Sequence, residues 1–386
     1  MVPAEHQPID HHRDRRADPQ GKEPRLHKYF RAMIKEQASD LHLKANTVAH
    51  IRKSAGLYAV KAEPLTSGEI LAMAEEILSE KQRAFFHEQG SIDVAEELEG
   101  SDRFRINIYR QRGNVSVAVR RVSRLIPTVA QLNLPPQILK IADLSTGLVL
   151  VAGMTGAGKS TTIATMLEHI NTTRRCHIVT IEDPIEYIYD DKKALIDQRE
   201  VGIDVADFEL ALKYLLREDP DVVLVGDMRD LETFQAALRA AETGHLVFGT
   251  VHASGAASTI SRIVELFPQE SRDLARQAMG FNLRAVVCQR LLPCLDKSID
   301  RVPAVEILMV NTVARQLVEE GRDAELMEVI RSGEYDGMQD FNKSLLDMIE
   351  KDYVDPRVAY EVSPNPDELK MLLKGISASR AGLLGR

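Results

Sequence analysis

The sequence predicts a mostly parallel α/β domain preceded by a smaller α+β domain. Four continuous apolar runs, separated by helical patterns, lie at residues 147–152, 177–181, 221–225 and 246–251. Continuous apolar strands that alternate with helices are typical of a parallel sheet covered on both faces. Two earlier runs, at residues 103–110 and 115–120, alternate apolar and polar side chains as half-buried hairpin strands do. With 44% apolar and 28% charged residues, the composition is globular.

The length of 386 residues predicts two or three domains with room for a buried core. Residues 1–25 are rich in His, Asp, Arg and Pro and predict a disordered tail. Three prolines between residues 123 and 136 predict a linker. The predicted divisions are a tail at 1–25, an α+β domain at 26–122, a linker at 123–136, an α/β domain with a helical C-terminal part at 137–375, and a frayed tail at 376–386.

Within the smaller domain, helical spacing predicts helices over residues 26–38 and 67–86, and alternation predicts a strand over residues 40–44. The hairpin is expected to turn at Gly113 and Asn114. Its polar positions carry several arginines, which form either a solvated face or a row of cations aimed at a phosphate held elsewhere. After about residue 272 the pattern predicts mainly helices, interrupted near residues 302–310.

The charge and cysteine content restrict the class of protein. The formal net charge of −9 argues against binding nucleic acid through an overall positive field. The three cysteines lack C-x-x-C spacing, and such an odd, sparse count is typical of a reducing compartment. No apolar run approaches the roughly 20 residues of a membrane helix, and the N-terminus lacks a secretory pattern. We therefore expect a cytoplasmic protein with no direct membrane insertion, which reaches a membrane only through a partner.

The strongest motif lies at residues 153–160, which read GMTGAGKS and match the phosphate-binding pattern G-x-x-x-x-G-K-[ST]. A predicted buried strand precedes the motif and a helix follows it, as a phosphate loop requires. Glycines let backbone N–H groups surround phosphates, and the start of the helix adds a positive dipole end. We expect Lys159 to reach the β- and γ-phosphates and the Ser160 hydroxyl to bind Mg²⁺. The candidate nucleotide-binding residues are Gly153, Thr155, Gly156, Ala157, Gly158, Lys159, Ser160 and Thr161.

Hydrolysis also needs a carboxylate on the magnesium side and a group that positions water. Asp227 follows the apolar strand at residues 221–225 and a glycine, where a magnesium-side acid belongs. A second acidic cluster at residues 182–186 follows another strand. Either group is a solvated loop feature or part of the site. Because open α/β sheets bind ligands at the carboxyl ends of their strands, the pattern favours the site.

Two histidines, His245 and His252, flank the predicted strand at residues 246–251. A histidine at a strand end is usually structural. A pair that flanks one strand of a nucleotide-binding sheet is also suited to couple the loss of a γ-phosphate to movement, because histidine switches hydrogen-bonding partners readily. The residues alone leave both interpretations open.

Four motifs in order resemble those of the secretion ATPase superfamily of type II secretion and type IV pili, the type II secretion system protein E family. Residues 153–161 resemble its Walker A motif, residues 180–187 its Asp box, residues 216–233 its Walker B region and residues 240–252 its His box. The chain lacks the tetracysteine zinc element of many extension ATPases, and residues 282–287 and 337–341 match the pilus-retraction branch of PilT and PilU type.

The resemblance implies a Mg²⁺-dependent ATPase that forms a homohexamer and drives pilus retraction and twitching motility. It implies a RecA-like C-terminal domain and an N-terminal PAS-like domain. Its implied cofactors are ATP and Mg²⁺. Its implied partners are an inner-membrane pilus platform protein and a related retraction ATPase, with no nucleic acid. The implied location is the cytoplasmic side of the inner membrane, reached peripherally through that platform.

Carried over position by position, the resemblance makes Glu186 the catalytic glutamate of the Asp box and His245 and His252 the His-box histidines. Arg105 and Arg120 match N-domain arginines that approach the nucleotide, and Arg112 is a looser match. Together with Asp227, the residues Glu186, His252 and His245 are the candidate catalytic set, and Ser160 and Asp227 are the candidate metal ligands.

The sequence departs from the family pattern at three places. Met154 and Ala157 replace the usual Pro and Ser of the phosphate loop, at positions that contribute mainly backbone. Asp227 stands where the family usually has Glu, and its side chain is shorter by about 1.5 Å. Glu319 replaces an arginine of the retraction signature. The alternatives are a weakly active PilU-like accessory subunit, or a RecA-like nucleic-acid translocase, which the acidic balance and the lack of an aromatic series disfavour.

Overall fold

The computed structural model describes residues 23–53, 56–98 and 101–375, and these form two units. The first unit comprises the described part of Met1–Leu125 together with Pro184–Asp190 and Arg199–Ala206. The second unit comprises Ile126–Asp183, Asp191–Gln198 and the described part of Asp207–Arg386. The sequence predicts that residues 184–190 and 199–206 belong to the second domain, but the structure groups both segments with the first unit. Most of the expected N-terminal tail, residues 1–22, and the expected C-terminal tail, residues 376–386, lie outside the described residues.

The first unit is a six-stranded antiparallel sheet with three helices. Its elements are α1 (His27–Lys35), β1 (Asp40–Lys44), β2 (His50–Lys53), β3 (Gly56–Ala59), α2 (Ser67–Glu75), α3 (Glu80–Gln89), β4 (Ser91–Glu97), β5 (Arg103–Gln111) and β6 (Asn114–Val122). The strand order is β3-β2-β1-β6-β5-β4. Apolar side chains of β5 and β6 alternate onto one face, where Phe104 stacks on Phe30 of α1 with ring centroids 4.3 Å apart. That face is the core of the unit.

The β5–β6 hairpin turns one residue earlier than the sequence predicts. Gln111 pairs with Asn114, so the two turn residues are Arg112 and Gly113. Both have positive φ, 49° and 77°, as a turn that follows the twist of the strands requires. The prediction gave Asn114 a turn position because Asn tolerates positive φ, but Arg112 adopts that conformation instead.

The single helix predicted over residues 67–86 is two helices, α2 and α3. Each begins at a capping box in which the N-cap side chain and the side chain three residues later satisfy free backbone N–H groups. Thr66 and Glu69 form the first box, and Ser79 and Gln82 form the second. The Ser-x-x-Gln signal at Ser79 was present in the sequence, so this boundary could have been found.

The second unit is a seven-stranded sheet with helices on it. Its elements are α4 (Gln137–Ala142), β7 (Gly147–Ala152), α5 (Lys159–Thr173), β8 (His177–Glu182), β9 (Leu195–Glu200), α6 (Phe208–Leu215), β10 (Val222–Val225), α7 (Leu231–Glu242), β11 (Leu246–Val251), α8 (Ala256–Leu266), α9 (Arg272–Asn282), β12 (Leu283–Pro293), β13 (Arg301–Met309), α10 (Thr312–Glu319), α11 (Leu326–Ser332), α12 (Phe341–Glu350), α13 (Pro356–Val362) and α14 (Pro366–Leu373). The last two residues of β9 are counted with the first unit.

The sheet order is β13-β12-β7-β11-β10-β8-β9. The pairs β12·β7, β7·β11, β11·β10 and β10·β8 are all parallel, and the pair β12·β13 is antiparallel. All six residues of β7 and of β11 are buried, which explains their uninterrupted apolar sequences. The prediction of a mostly parallel sheet is confirmed.

The prediction of mainly helical structure after residue 272 is wrong for β12, which runs antiparallel to β13 from Leu283 to Pro293. A short apolar run can be a buried strand or a buried helix segment, and the β-branched pair Val286 and Val287 was the available signal for a strand. The predicted interruption near residues 302–310 is β13. No helix among the described residues is both long enough and apolar enough to span a membrane.

Candidate nucleotide-binding site

The phosphate loop joins the carboxyl end of β7 to the start of α5, as the sequence predicts. Gly153, Gly156 and Gly158 have φ values of 157°, 78° and 87°, and Gly158 is the N-cap of α5. Side chains disfavour this region of φ, so the glycines permit the turn that faces the N–H groups of the loop and of the helix start in one direction. Ser160 in the first turn of α5 is exposed.

Lys159 is buried and folds back over the loop. Its Nζ donates to the carbonyl oxygen of Gly153 at 2.8 Å and to that of Met154 at 3.3 Å. Burial lowers the pKa of Lys159, and the negative charge of nearby Asp227 offsets part of that decrease. The positive charge of Lys159 thus lies beside the phosphate loop, where two carbonyl dipoles and the carboxylate of Asp227 stabilise it.

Gln289 of β12 supports the loop from behind and was missed by sequence reasoning. Its Oε1 accepts from the Thr162 hydroxyl at 2.7 Å within the buried interior. A Cβ on Gly158 would lie 2.7 Å from Nε2 of Gln289, and one on Gly153 would lie 2.7 Å from the Gln289 carbonyl oxygen. Because β12 was expected to be helical, the sequence offered no reason to place Gln289 beside the loop.

Asp227 and His252 follow the carboxyl ends of the neighbouring strands β10 and β11. Asp227 Oδ2 accepts from Arg229 Nε at 2.7 Å and lies 3.4 Å from His252 Nε2. Asp227 Oδ1 is buried, and no described residue forms a hydrogen bond with it. A buried carboxylate oxygen without a partner costs free energy unless a ligand satisfies it, so this atom is suited to a cation or to a water held by a cation.

The residues present fit a magnesium site. Mg²⁺ binds oxygen, usually through one or two protein groups together with water and substrate phosphates. The free Oδ1 of Asp227 and the exposed hydroxyl of Ser160 supply that chemistry within the second unit. Both are the residues that the sequence predicts as metal ligands.

The acidic cluster after β8 divides between the two units. Glu182 is buried at the end of β8, and its Oε1 accepts from the Thr180 hydroxyl at 2.8 Å. Glu186 is exposed and belongs to Pro184–Asp190, which is part of the first unit. Its role at a nucleotide therefore rests on the resemblance and stays a prediction.

Arg105 and Arg120 also belong to the first unit, where they lie opposite each other in the β5–β6 ladder. Arg120 donates from Nε to Asp40 Oδ1 at 2.9 Å, which offsets the repulsion between the two arginines. Burial raises the pKa of Glu200, and the positive charge of Arg105 counteracts that rise. Arg112 is exposed at the hairpin turn. In this structure the two predicted arginines thus interact with carboxylates of their own unit.

His245 lies at the amino end of β11 and His252 at its carboxyl end. Ala240 provides the carbonyl oxygen 2.8 Å from His245 Nδ1. Leu246 pairs with Gly147 at the start of β7, so six strand residues, about 20 Å, separate His245 from the phosphate loop. The structure therefore brings His252 to the phosphate loop of its chain and does not bring His245 there.

A mostly parallel sheet with a phosphate loop after the interior strand β7 and an acid after a nearby strand defines a P-loop nucleotide-binding protein. The family model for the Type II/IV secretion system protein matches residues 99–338. The chain belongs to this family.

Two curated proteins of Pseudomonas aeruginosa are similar over nearly their whole lengths. The type IV pilus retraction ATPase PilT is 39% identical over 333 residues, 86% of this chain and 96% of PilT. The type IV pilus ATPase PilU is 33% identical over 354 residues, 92% of each chain. A twitching motility protein of Neisseria gonorrhoeae is 38% identical over 83% of this chain and 85% of its own length.

Solved structures agree with this placement. The crystal structure of the pilus retraction motor PilT with bound ADP is 40% identical, has a TM-score of 0.83, and covers 90% of this chain and 99% of its own. The ATPase DotB of Legionella pneumophila, 24% identical with a TM-score of 0.73 over 93% of this chain and 98% of its own, supports the fold alone. The predicted likeness to the PilT and PilU type and the RecA-like fold are confirmed.

Proposed function

We propose that the chain is an ATP-hydrolysing motor subunit that drives retraction of a type IV pilus. The observation that carries the proposal is the pairing of a complete phosphate loop with the free carboxylate oxygen of Asp227. The similarity to the retraction ATPase PilT, over 96% of the length of that protein, is the reason to propose retraction of the pilus and not its extension. Membership of the Type II/IV secretion system protein family does not depend on this proposal.

In the proposed reaction, Lys159 and the loop N–H groups bind the β- and γ-phosphates. Ser160 and Asp227 would hold Mg²⁺, which neutralises charge that develops on the phosphates. His252 contacts Asp227 and would carry a change at the γ-phosphate into β11. Glu186 would polarise the attacking water, and Arg105 and Arg120 would steady the γ-phosphate charge, as the resemblance implies. His245 lies at the amino end of β11, away from the phosphate loop, so any effect of His245 on the nucleotide would have to pass along β11.

We further propose a homohexamer in which each subunit changes conformation during the nucleotide cycle to provide the stroke. The proposed partners are an inner-membrane pilus platform protein and a related retraction ATPase. The proposed location is the cytoplasmic face of the inner membrane. Light scattering at micromolar protein with a Mg-ATP analogue tests the assembly, and a purely monomeric sample would contradict it.

A second candidate is a weakly active accessory subunit that binds ATP within a mixed machine. Asp227 in place of the family's usual Glu and the 33% identity to PilU over 92% of each chain favour it. Slow turnover by pure wild type that Asp227→Glu raises strongly would support this candidate.

The deciding experiment has a cellular and a biochemical arm. In a deletion strain, accumulation of surface pili fits lost retraction, whereas loss of pili fits an extension motor. In vitro, Mg²⁺-dependent ATP hydrolysis that disappears in Lys159→Ala is expected. A wild type without turnover, alone or mixed with its related ATPase, would contradict the motor proposal.

A further inference from the structure

Glu306 is a buried carboxyl group of β13 that the phosphate site does not contain. Its side chain is 1% exposed, and it pairs across the ladder with Cys288 of β12. Charged side chains are rarely so buried unless a specific partner satisfies them. The partner here is a backbone group: Glu306 Oε1 accepts from the N–H of Ala256 at 2.7 Å.

Ala256 is the first residue of α8 and lies four residues after His252. The first N–H groups of a helix have no partner within the helix, so a carboxylate there stabilises the helix start by a hydrogen bond and through the dipole. A Cβ on Gly255 would lie 3.2 Å from Glu306 Oε1, so the carboxyl group of Glu306 also packs against Gly255, the residue before Ala256. Glu306 therefore fixes the point where the chain leaves His252 and enters α8.

A second group holds the same short segment, residues 253–255, from β12. Arg290 Nη2 donates to the carbonyl oxygen of Ser254 at 3.2 Å, and its guanidinium lies 4.3 Å from the ring centroid of Phe341. The segment also lines a pocket of about 330 Å³ together with Met154 and Thr155 of the phosphate loop. The position of residues 253–255 thus affects both the approach to the phosphate loop and the placement of His252.

The groups that face Glu306 come from every neighbouring element. They are the Ala256 N–H on α8, Cys288 and Arg290 on β12, Arg331 on α11 and Asp340 at the start of α12. Burial and, to a smaller degree, the negative charge of Asp340 raise the pKa of Glu306 to about 7, although the Ala256 N–H, Arg290 and Arg331 act in the opposite direction. Ionisation strengthens the bond to Ala256, because hydrogen bonds to charged acceptors are the stronger ones.

We propose that Glu306 is a positioning residue that holds the segment between His252 and α8 in the geometry used for ATP hydrolysis. This inference rests on the proposed ATPase function. Glu306 acts through Ala256 and Gly255 and does not contact nucleotide. Its charged form holds the segment more firmly than its neutral form.

The test compares wild type, Glu306→Gln and Glu306→Ala in full-length protein. Steady-state kcat and KM for Mg-ATP are measured from pH 6 to pH 8.5. Wild-type kcat should rise through about pH 7. Glu306→Gln should match wild type near pH 6 and lack that rise. Glu306→Ala should also lack the rise, so its loss in kcat relative to wild type should grow with pH and reach about tenfold or more above pH 7, because a hydrogen bond to a charged acceptor is stronger than one to a neutral acceptor. KM should change less than twofold in both variants.

Asp340→Asn is the matched control, because Asn caps α12 nearly as well as Asp while it removes one negative charge near Glu306. The rise in kcat should then move to lower pH with an unchanged plateau. Hydrogen exchange of residues 253–258 gives a readout without turnover, and it should be faster in Glu306→Ala. Unchanged exchange and unchanged kcat in that variant overturn the inference, whereas a wild type without ATPase activity contradicts the proposed function instead.

Discussion

Asp227 and His252 follow the carboxyl ends of adjacent parallel strands, and Asp227 Oδ2 lies 3.4 Å from His252 Nε2 while Oδ1 has no hydrogen-bonding partner among the described residues. The two oxygens of the Asp227 carboxylate therefore have different surroundings. Oδ2 interacts with Arg229 and His252, and Oδ1 remains available to a cation or to a water held by a cation. This division links the proposed metal ligand to β11.

The first prediction follows from that division. Asp227→Ala should abolish Mg²⁺-dependent turnover, because no other carboxylate follows β10 at that position. Asp227→Glu should change turnover only modestly if a water bridges the acid to the metal, and Asp227→Asn, which keeps the shape, should resemble Asp227→Ala. Magnesium titrations of the ATPase rate in the four proteins check this. An Asp227→Ala protein as active as wild type would remove the metal role.

Lys159 carries the second prediction. Lys159→Ala removes the cation held at the loop mouth, and turnover should be lost while ATP binding weakens about 10- to 100-fold, as expected for a hydrogen bond to a charged phosphate. Nucleotide titration calorimetry and a contaminant-free ATPase assay measure both. Lys213→Ala, an exposed lysine on α6, is the control and should behave as wild type. Normal turnover in Lys159→Ala would show that the phosphate site is elsewhere.

Glu186 tests the part of the site that rests on the resemblance. Glu186→Gln keeps the size of the side chain and removes its charge, so ATP should still bind while hydrolysis falls roughly 10²-fold or more. Single-turnover rates measure this, with the exposed neighbour Asp183→Asn as control. If hydrolysis is unchanged, Glu186 is a loop carboxylate and Glu182 becomes the next candidate.

The backbone around the phosphate loop gives a prediction with an internal control. Gly156 and Gly158 both have positive φ, but only a Cβ on Gly158 would meet another residue, Gln289 Nε2 at 2.7 Å. The only expected effect of Gly156→Ala is therefore backbone strain of about 1 kcal/mol, whereas Gly158→Ala should add the displacement of the Gln289 side chain to the same strain. ATP affinity should fall further in Gly158→Ala than in Gly156→Ala. Equal losses would mean that Gln289 does not support the loop.

Much of this fold and site could be predicted from local sequence. The strands β7 and β11 were predicted at their observed bounds, because strands buried on both faces have uninterrupted apolar sequences. The phosphate loop was found because its chemistry needs glycines and a lysine at fixed spacing. Asp227 was found because it follows a strand after a single glycine.

Contacts between residues distant in sequence could not be predicted. Gln289 supports the loop from β12, and Glu306 reaches Ala256 from β13, 50 residues away. Neither residue has a local motif, since each acts through strand pairing and burial. The hairpin turn at Arg112 was misplaced for a related reason: strand register chose the turn residues over the local preference for Asn114.

The last prediction concerns the cost of burying Glu306. Its pKa is about 7 in the folded protein against an ordinary 4.5, so the folded state holds the proton more tightly than the unfolded chain. The resulting stabilisation is complete below pH 4.5 and is lost as the pH rises through 7, with a total on the order of 3 kcal/mol. Glu306→Gln cannot ionise, so its stability relative to wild type should increase between pH 5.5 and pH 8. Thermal unfolding of both proteins at several pH values measures this difference in stability. Asp340→Asn is the control: it should lower the pKa of Glu306 and so reduce the stability that is lost as the pH rises. A difference between wild type and Glu306→Gln that does not change with pH would mean that Glu306 keeps its ordinary pKa in the folded protein.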